Sequence, residues 1–192
     1  MTYKDTRHGK LLEMEAAQVF SEKWDHTQAP RLQDWLMMGV ARYIPELLPM
    51  PSGPVLNLGA GRRDIGSAEP LDLEHGWNAD TDRIPHDDAT IAGIWAHNFL
   101  EHTRNPIKVL RECERVLASG GILNIAVPHA KAEIFTEDIT HKQMFHEDTW
   151  RNIFANPGYD VAGDWHFYVH ANFILGVAWR NLLLFTQMVR TA

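Results

Sequence analysis

Apolar positions from Leu11 to Trp24 (Leu11, Leu12, Met14, Ala16, Ala17, Val19 and Phe20) recur at roughly helical spacing ahead of a break at Asp25 to Pro30, which predicts a helix. A second helix is predicted from Leu32 to Leu48, with Leu32, Trp35, Leu36, Gly39, Val40, Tyr43, Ile44 and Leu47 on one face before Pro49, Pro51 and Pro54 end it. The pattern then changes. Val55 to Leu58 is a short apolar run between Pro54 and Gly59-Ala60-Gly61, the mark of a buried strand leading into a glycine turn. Further strands are predicted at Leu71 to Leu73 and Ile91 to Ala96. Between Asn105 and Gly121 a helix is signalled by Asn105 as cap, Pro106 in the first turn, Val109, Leu110, Cys113, Val116 and Leu117 on one face, and Gly120-Gly121 as terminator. It feeds a strand from Ile122 to Val127. After a polar segment a helix is expected from Glu147 to Ala155, then strands within Tyr159 to His170 and Val177 to Arg190.

Strands that alternate with helices imply an α/β fold: a Rossmann-like, mostly parallel sheet with helices on both faces, a shortened first crossover and an antiparallel C-terminal strand. We expect a single domain over residues 1–192, with 1–50 a helical N-terminal extension and 51–192 the sheet core. Ligands in such sheets bind at the carboxyl ends of the strands.

Charge and composition narrow the function. The longest apolar stretch, near Phe173 to Val189, is interrupted by Arg180, Asn181, Thr186 and Gln187, so it reads as core and no membrane association is expected. The first residues carry Lys4, Asp5, Arg7, His8 and Lys10 with no apolar export segment, and the lone Cys113 excludes a disulfide framework; both fit the cytoplasm. A net charge of −7 argues against a nucleic-acid partner. The expected partner is a small-molecule acceptor, and homodimer formation is left open.

Gly59-Ala60-Gly61 after a buried strand lets backbone approach a ligand, although a tight structural turn explains these glycines about as well. Arg62 and Arg63 stand where a dinucleotide fingerprint would bring its third glycine, and Asp72 follows Gly59 by thirteen positions instead of about twenty. The link from Gly61 to Leu71 is too short for a full helix, so a pyrophosphate would lack its usual helix N-terminus. S-adenosylmethionine carries no phosphate, and its hydroxyls and amine suit an acidic rim. Asp72 is placed to accept from both ribose hydroxyls, and Asp80 to make a polar contact with adenine or ribose.

These residues resemble the class I S-adenosylmethionine-dependent methyltransferases, in particular the compact bacterial and phage kind with Asn in the first motif. The resemblance runs from Val55 to Gly61 through Pro70-Leu71-Asp72, Ala79-Asp80 and Arg83-Ile84-Pro85 to Leu100-Glu101-His102. It continues in Arg115-Val116-Leu117 with Gly120-Gly121, in Val127-Pro128-His129, and in Asp138 to His141 followed by Phe145. It implies that Asn57, Gly59, Ala60 and Gly61 pass the methionine end of the cofactor and that Asp72, followed by Leu73, holds the ribose. Asp80 and Thr81 would lie near adenine, and Ala96 and His97 would border the sulfonium. Two positions depart from the pattern: Asn57 stands where an acidic residue is common, and Arg63 replaces a common glycine.

Eleven histidines invite a metal reading, but their spacing does not support one. His141 and His146 are five apart, His166 and His170 share a strand-like segment, and Glu101-His102 adjoins no second ligand in sequence. No metal is therefore expected. Methyl transfer is an in-line displacement that proximity and alignment can drive, with a histidine base useful for a hydroxyl acceptor. The resemblance implies that the segment carrying His141 lies over the acceptor, making His141 the first candidate base; His129 is the second on position alone. Hydrogen bonding that merely anchors the loop explains His141 slightly better. Trp150, Trp165, Phe167, Tyr168, Phe173 and Trp179 read chiefly as core. The leading expectation is an enzyme that methylates a small molecule. The alternative is a scaffold or regulatory subunit that binds S-adenosylmethionine without transfer, and a nucleotide-binding oxidoreductase is disfavoured by the glycine pattern.

Overall fold

The computed structural model describes residues 50–61, 67–146, 148–155, 158, 161, 165–174 and 182–191. The two predicted N-terminal helices, together with Arg62 and Arg63, lie outside the described residues. Six strands form one sheet: β1 (Val55–Leu58), β2 (Glu69–Leu71), β3 (Ile91–His97), β4 (Leu117–Pro128), β5 (Trp165–Ile174) and β6 (Leu182–Arg190), in the order β2-β1-β3-β4-β6-β5. The pairs β1 with β2, β1 with β3 and β3 with β4 are parallel, and β6 runs antiparallel to both β4 and β5. This is the expected Rossmann-like α/β architecture, with its antiparallel strands at the C-terminal end.

The sheet is built on apolar runs whose alternate residues share a face. Register sets Leu56, Ile94, Leu123 and Met188 side by side. They join one apolar cluster with Val109, Leu110, Cys113 and Val116 of helix α1 (Pro106–Val116). Burying a helix stripe against a sheet face in this way removes roughly 25 cal/mol per Å² of apolar surface from water. The opposite face carries a buried polar row. Asn57, Trp95, Asn124 and Gln187 are in register, and Gln187 Nε2 donates to Asn124 Oδ1 at 3.0 Å.

α1 begins as predicted: Asn105 accepts from the Lys108 N–H at 3.1 Å and Pro106 occupies the first turn. Its end differs. Pairing with Ile91 takes Leu117 into β4, so Gly120 and Gly121 lie inside the strand instead of terminating the helix. The register there jumps from Ile91 opposite Leu117 to Gly93 opposite Ile122, leaving a bulge in which Gly120 adopts φ +78°. The second strand is also displaced: it ends at Leu71, and Asp72 instead caps a 3₁₀ turn, Leu73–His75. Between β2 and β3 the described chain holds no α-helix. Two short helices follow β4, α2 (Glu133–Glu137) and α3 (Thr149–Ala155), the latter starting two residues later than expected.

Candidate cofactor cleft

The carboxyl ends of β1, β2 and β3 lie side by side, and the segments leaving them wall a cleft of about 310 Å³, at the small end of the range for ligand sites. The Gly59 N–H donates to the Leu71 carbonyl at 2.8 Å, which closes the end of β1 onto β2. Gly59 has φ +67°, and a Cβ there would stand 2.5 Å from Cδ2 of Phe99, so both conformation and space require glycine. Gly61, at φ +53°, has open space where a side chain would be.

Asp72 faces this turn. Its Oδ2 accepts from the Gly61 N–H, while Oδ1 accepts from the His75 N–H at 3.0 Å and lies 2.7 Å from His75 Nδ1. Burial pushes the carboxyl up, but the hydrogen bonds from the His75 ring, the Gly61 N–H and the His75 N–H outweigh it and hold Asp72 below the ordinary carboxylate value. Leu73 exposes an apolar side chain at the cleft. Trp77, buried, donates from Nε1 to the Arg83 carbonyl at 3.0 Å and lies 6.0 Å from the Phe99 ring. Asp80 accepts from the Arg104 N–H at 2.7 Å and has Arg104 Nε and Lys142 Nζ each at 3.9 Å.

Asn98, the residue after β3, adopts φ +47° and donates its N–H to the Ala126 carbonyl at 2.7 Å. Asparagine tolerates this left-handed conformation better than most residues. Its side-chain Oδ1 is buried at the cleft without a hydrogen-bond partner among the described residues, an acceptor poised for a donor from a ligand.

Residues 65–125 match the methyltransferase domain family. No curated protein matches the sequence. The fold is similar to a chain of the complex between the Haloferax volcanii Trm112 methyltransferase activator and a methyltransferase. Identity there is 15% and the TM-score 0.56, covering 84% of this chain and 96% of that one. It is similar also to an S-adenosylmethionine-dependent methyltransferase from Archaeoglobus fulgidus, at 14% identity and TM-score 0.55 over 90% of this chain and 99% of that one. A third likeness is the [4+2]-cyclase SpnF, at 13% identity and TM-score 0.55 over 83% and 82% of the two chains. The chain has the class I methyltransferase fold.

In this methyltransferase fold, Gly59, Gly61, Asp72, Leu73 and Asp80 line the cleft together. Asn57 and Ala60 are buried at its back, in and just after β1. Thr81 is exposed outside the lining, its hydroxyl donating to Asp82 at 2.9 Å. Ala96 and His97 are buried within β3, and the His97 ring stands 5.1 Å from Trp95 and 6.4 Å from Phe185. Neither candidate base lines the cleft. His129 is fully buried, its Nδ1 accepting from the Lys131 N–H at 3.0 Å, and His141 stands behind His102 at a ring separation of 4.8 Å. His102 does line the cleft; burial, then the proximity of His141, lowers its pKa.

Sequence reasoning missed Trp77, Asn98, Phe99, His102 and Lys142 as cleft residues. Trp77 and Phe99 look like any core aromatic, and the backbone twist of Asn98 leaves no mark in a pattern of apolar positions. Leu100-Glu101-His102 was visible as part of the resemblance, but that His102 lines the cleft depends on the 3₁₀ turn that follows β3.

Proposed function

We propose that this chain transfers a methyl group from S-adenosylmethionine to a small-molecule acceptor, in the cytoplasm. The observation that carries the reading is Asp72, whose ionised carboxylate is held at the cleft by the very turn that passes it. A carboxylate offers about four lone-pair sites, and the three bonds from Gly61 and His75 leave capacity for one ribose hydroxyl. Asn98 Oδ1 supplies a further acceptor, Leu73 and Trp77 give apolar surface for adenine, and Asp80 sits at the same wall. Asn57, Ala60, Ala96 and His97 support the lining from behind, and Thr81 shapes the loop that carries Asp80. With no α-helix between Leu71 and Ile91, this wall of the cleft offers a pyrophosphate no α-helix N-terminus.

When bound, S-adenosylmethionine supplies a methyl carbon on a sulfonium leaving group. The chain's own work is then to hold donor and acceptor in line and exclude water, which can account for much of the acceleration. His141 acts through His102, as a positioning residue for the acceptor side. His129 is held away from the cleft and supports the wall. A fold shared with a [4+2]-cyclase does not by itself dictate transfer. Product formation is therefore the discriminator from a non-transferring scaffold.

Calorimetric titration should show binding of S-adenosylmethionine or its demethylated product, with NAD much weaker. Asp72→Ala should weaken that binding by about 10- to 100-fold, the worth of one or two hydrogen bonds to a charged group. The circular dichroism spectrum should be unchanged. Tighter binding of NAD, or unaltered affinity in a folded Asp72 variant, would sink the reading. A mass-spectrometric search of lysate incubated with enzyme and cofactor should then find a methylated product.

A further inference from the structure

We infer that Glu101, His102 and His141 form a binding site for one divalent transition-metal ion of the Zn²⁺ type, at the edge of the cleft. The three are brought together by the fold. Glu101 and His102 lie in the 3₁₀ turn Leu100–His102 after β3, and His141 lies in the loop after α2. The Lys142 and Gln143 N–H groups both donate to the Glu101 carbonyl, at 2.7 and 3.1 Å, so the later loop is stitched onto the earlier turn. One candidate ligand atom from each residue lies within 4.8 Å of the other two. Glu101 is fully buried and the His141 side chain nearly so.

Hydrogen bonding fixes which ring nitrogens carry protons. Thr140 lies 2.6 Å from Asp138 Oδ1 through its hydroxyl, and an ionised carboxylate can only accept, so the one hydroxyl hydrogen points to Asp138. At 2.9 Å from His102 Nδ1, the Thr140 oxygen must therefore accept, which puts the His102 proton on Nδ1. His141 Nδ1 lies 3.1 Å from the Phe135 carbonyl, again a pure acceptor, so its proton is on Nδ1 too. In a neutral ring each Nε2 then presents a lone pair. That of His102 is 3.8 Å from Glu101 Oε1 and that of His141 is 3.7 Å from Asp138 Oδ2.

Two imidazole Nε2 lone pairs and one buried carboxylate are the donor types that Zn²⁺ takes, and the three residues present them in one cluster. One dication placed among them would be ligated by both rings and by the Glu101 carboxylate. An imidazole whose other nitrogen donates to an oxygen is also the usual second-shell arrangement of a metal-bound histidine. Four-coordinate Zn²⁺ with bonds of 2.0–2.2 Å spaces its ligand atoms by roughly 3.4 Å, so the cluster, at most 4.8 Å wide, must contract by up to about 1.4 Å, within reach of side-chain rotation. His102 lines the cleft, so a further coordination position would open toward the acceptor; that consequence rests on the methyl-transfer reading, whereas the metal site does not.

The test is a titration of the full chain, stripped with chelator, using Zn²⁺ alone by calorimetry and Co²⁺ alone by visible absorption. One equivalent of each should bind, with Co²⁺ giving the d–d bands of a nitrogen- and oxygen-ligated ion. Glu101→Gln and His141→Asn should each weaken Zn²⁺ binding by at least about 100-fold. Thr140→Val, at an exposed position, should weaken it by about 10-fold through the second shell and keeps the test open if Glu101→Gln does not fold. Absence of stoichiometric uptake by the folded wild type would overturn the proposal. So would uptake that survives in the His102→Asn, His141→Asn double variant, because other histidines would then hold the ion.

Discussion

Asp72 and Gly59 show how single residues set the cleft. Gly59 must be glycine because its φ is positive and because Phe99 packs where a Cβ would be. Asp72 accepts from Gly61 and His75 together, and these bonds favour its ionised form. Its folded pKa lies below the ordinary value, so its stabilising contribution is complete above the unfolded carboxylate pKa, about 3.9, and is lost as the pH falls through the folded value. Denaturant midpoints measured from neutral to acid pH should accordingly fall on the acid side, and Asp72→Asn should flatten that limb. An unchanged limb would mean that other carboxylates carry the acid sensitivity.

Among the elements, α1 does more than cover the sheet. With no α-helix between β2 and β3, the wall that holds Trp77 and Asp80 depends on α1 side chains. Lys108 Nζ donates to the Ala79 and Asp82 carbonyls at 3.2 and 2.9 Å, and Glu112 accepts from the Ile84 N–H at 2.9 Å. Arg115 donates to the Ile84 and His86 carbonyls and pairs with Glu112 and Asp88, each at 2.7 Å. Truncating Arg115 to alanine should destabilise the fold by about 1.5–3 kcal/mol, the range for a partly buried charged hydrogen-bonding group. S-adenosylmethionine binding should weaken as well, because the cleft wall loosens. Urea denaturation and ligand titration of the same variant separate the two effects, and a stability loss without loss of affinity would show that the wall stands without this tether.

At the scale of the whole molecule, Cys113 reports on the integrity of the core. It lies in the apolar cluster between α1 and the sheet, where burial, reinforced by Glu112, pushes its thiol pKa up. Thiol-reagent labelling of the native protein should therefore proceed only through opening of the core, with a denaturant dependence that matches global unfolding; fast labelling without denaturant would show a local route to the α1 interface. The same scale separates what the sequence determined from what it could not. Val55 to Leu58 with its glycine turn, and α1 with Asn105 and Pro106, were legible because apolar runs, caps and turn residues are signals between near neighbours. Asp72, which lines the cleft, was singled out from the sequence yet placed inside a strand, because three-residue β2 is set by pairing with β1. The end of α1 was misread for the same reason, since pairing of Leu117 with Ile91 outweighed the glycines that follow. Asn98, Trp77 and the meeting of Glu101 and His102 with His141 were beyond reach. They depend on where β3, the turn after it and the loop after α2 come to rest against one another, and that is decided by packing and hydrogen bonds between segments far apart in the chain.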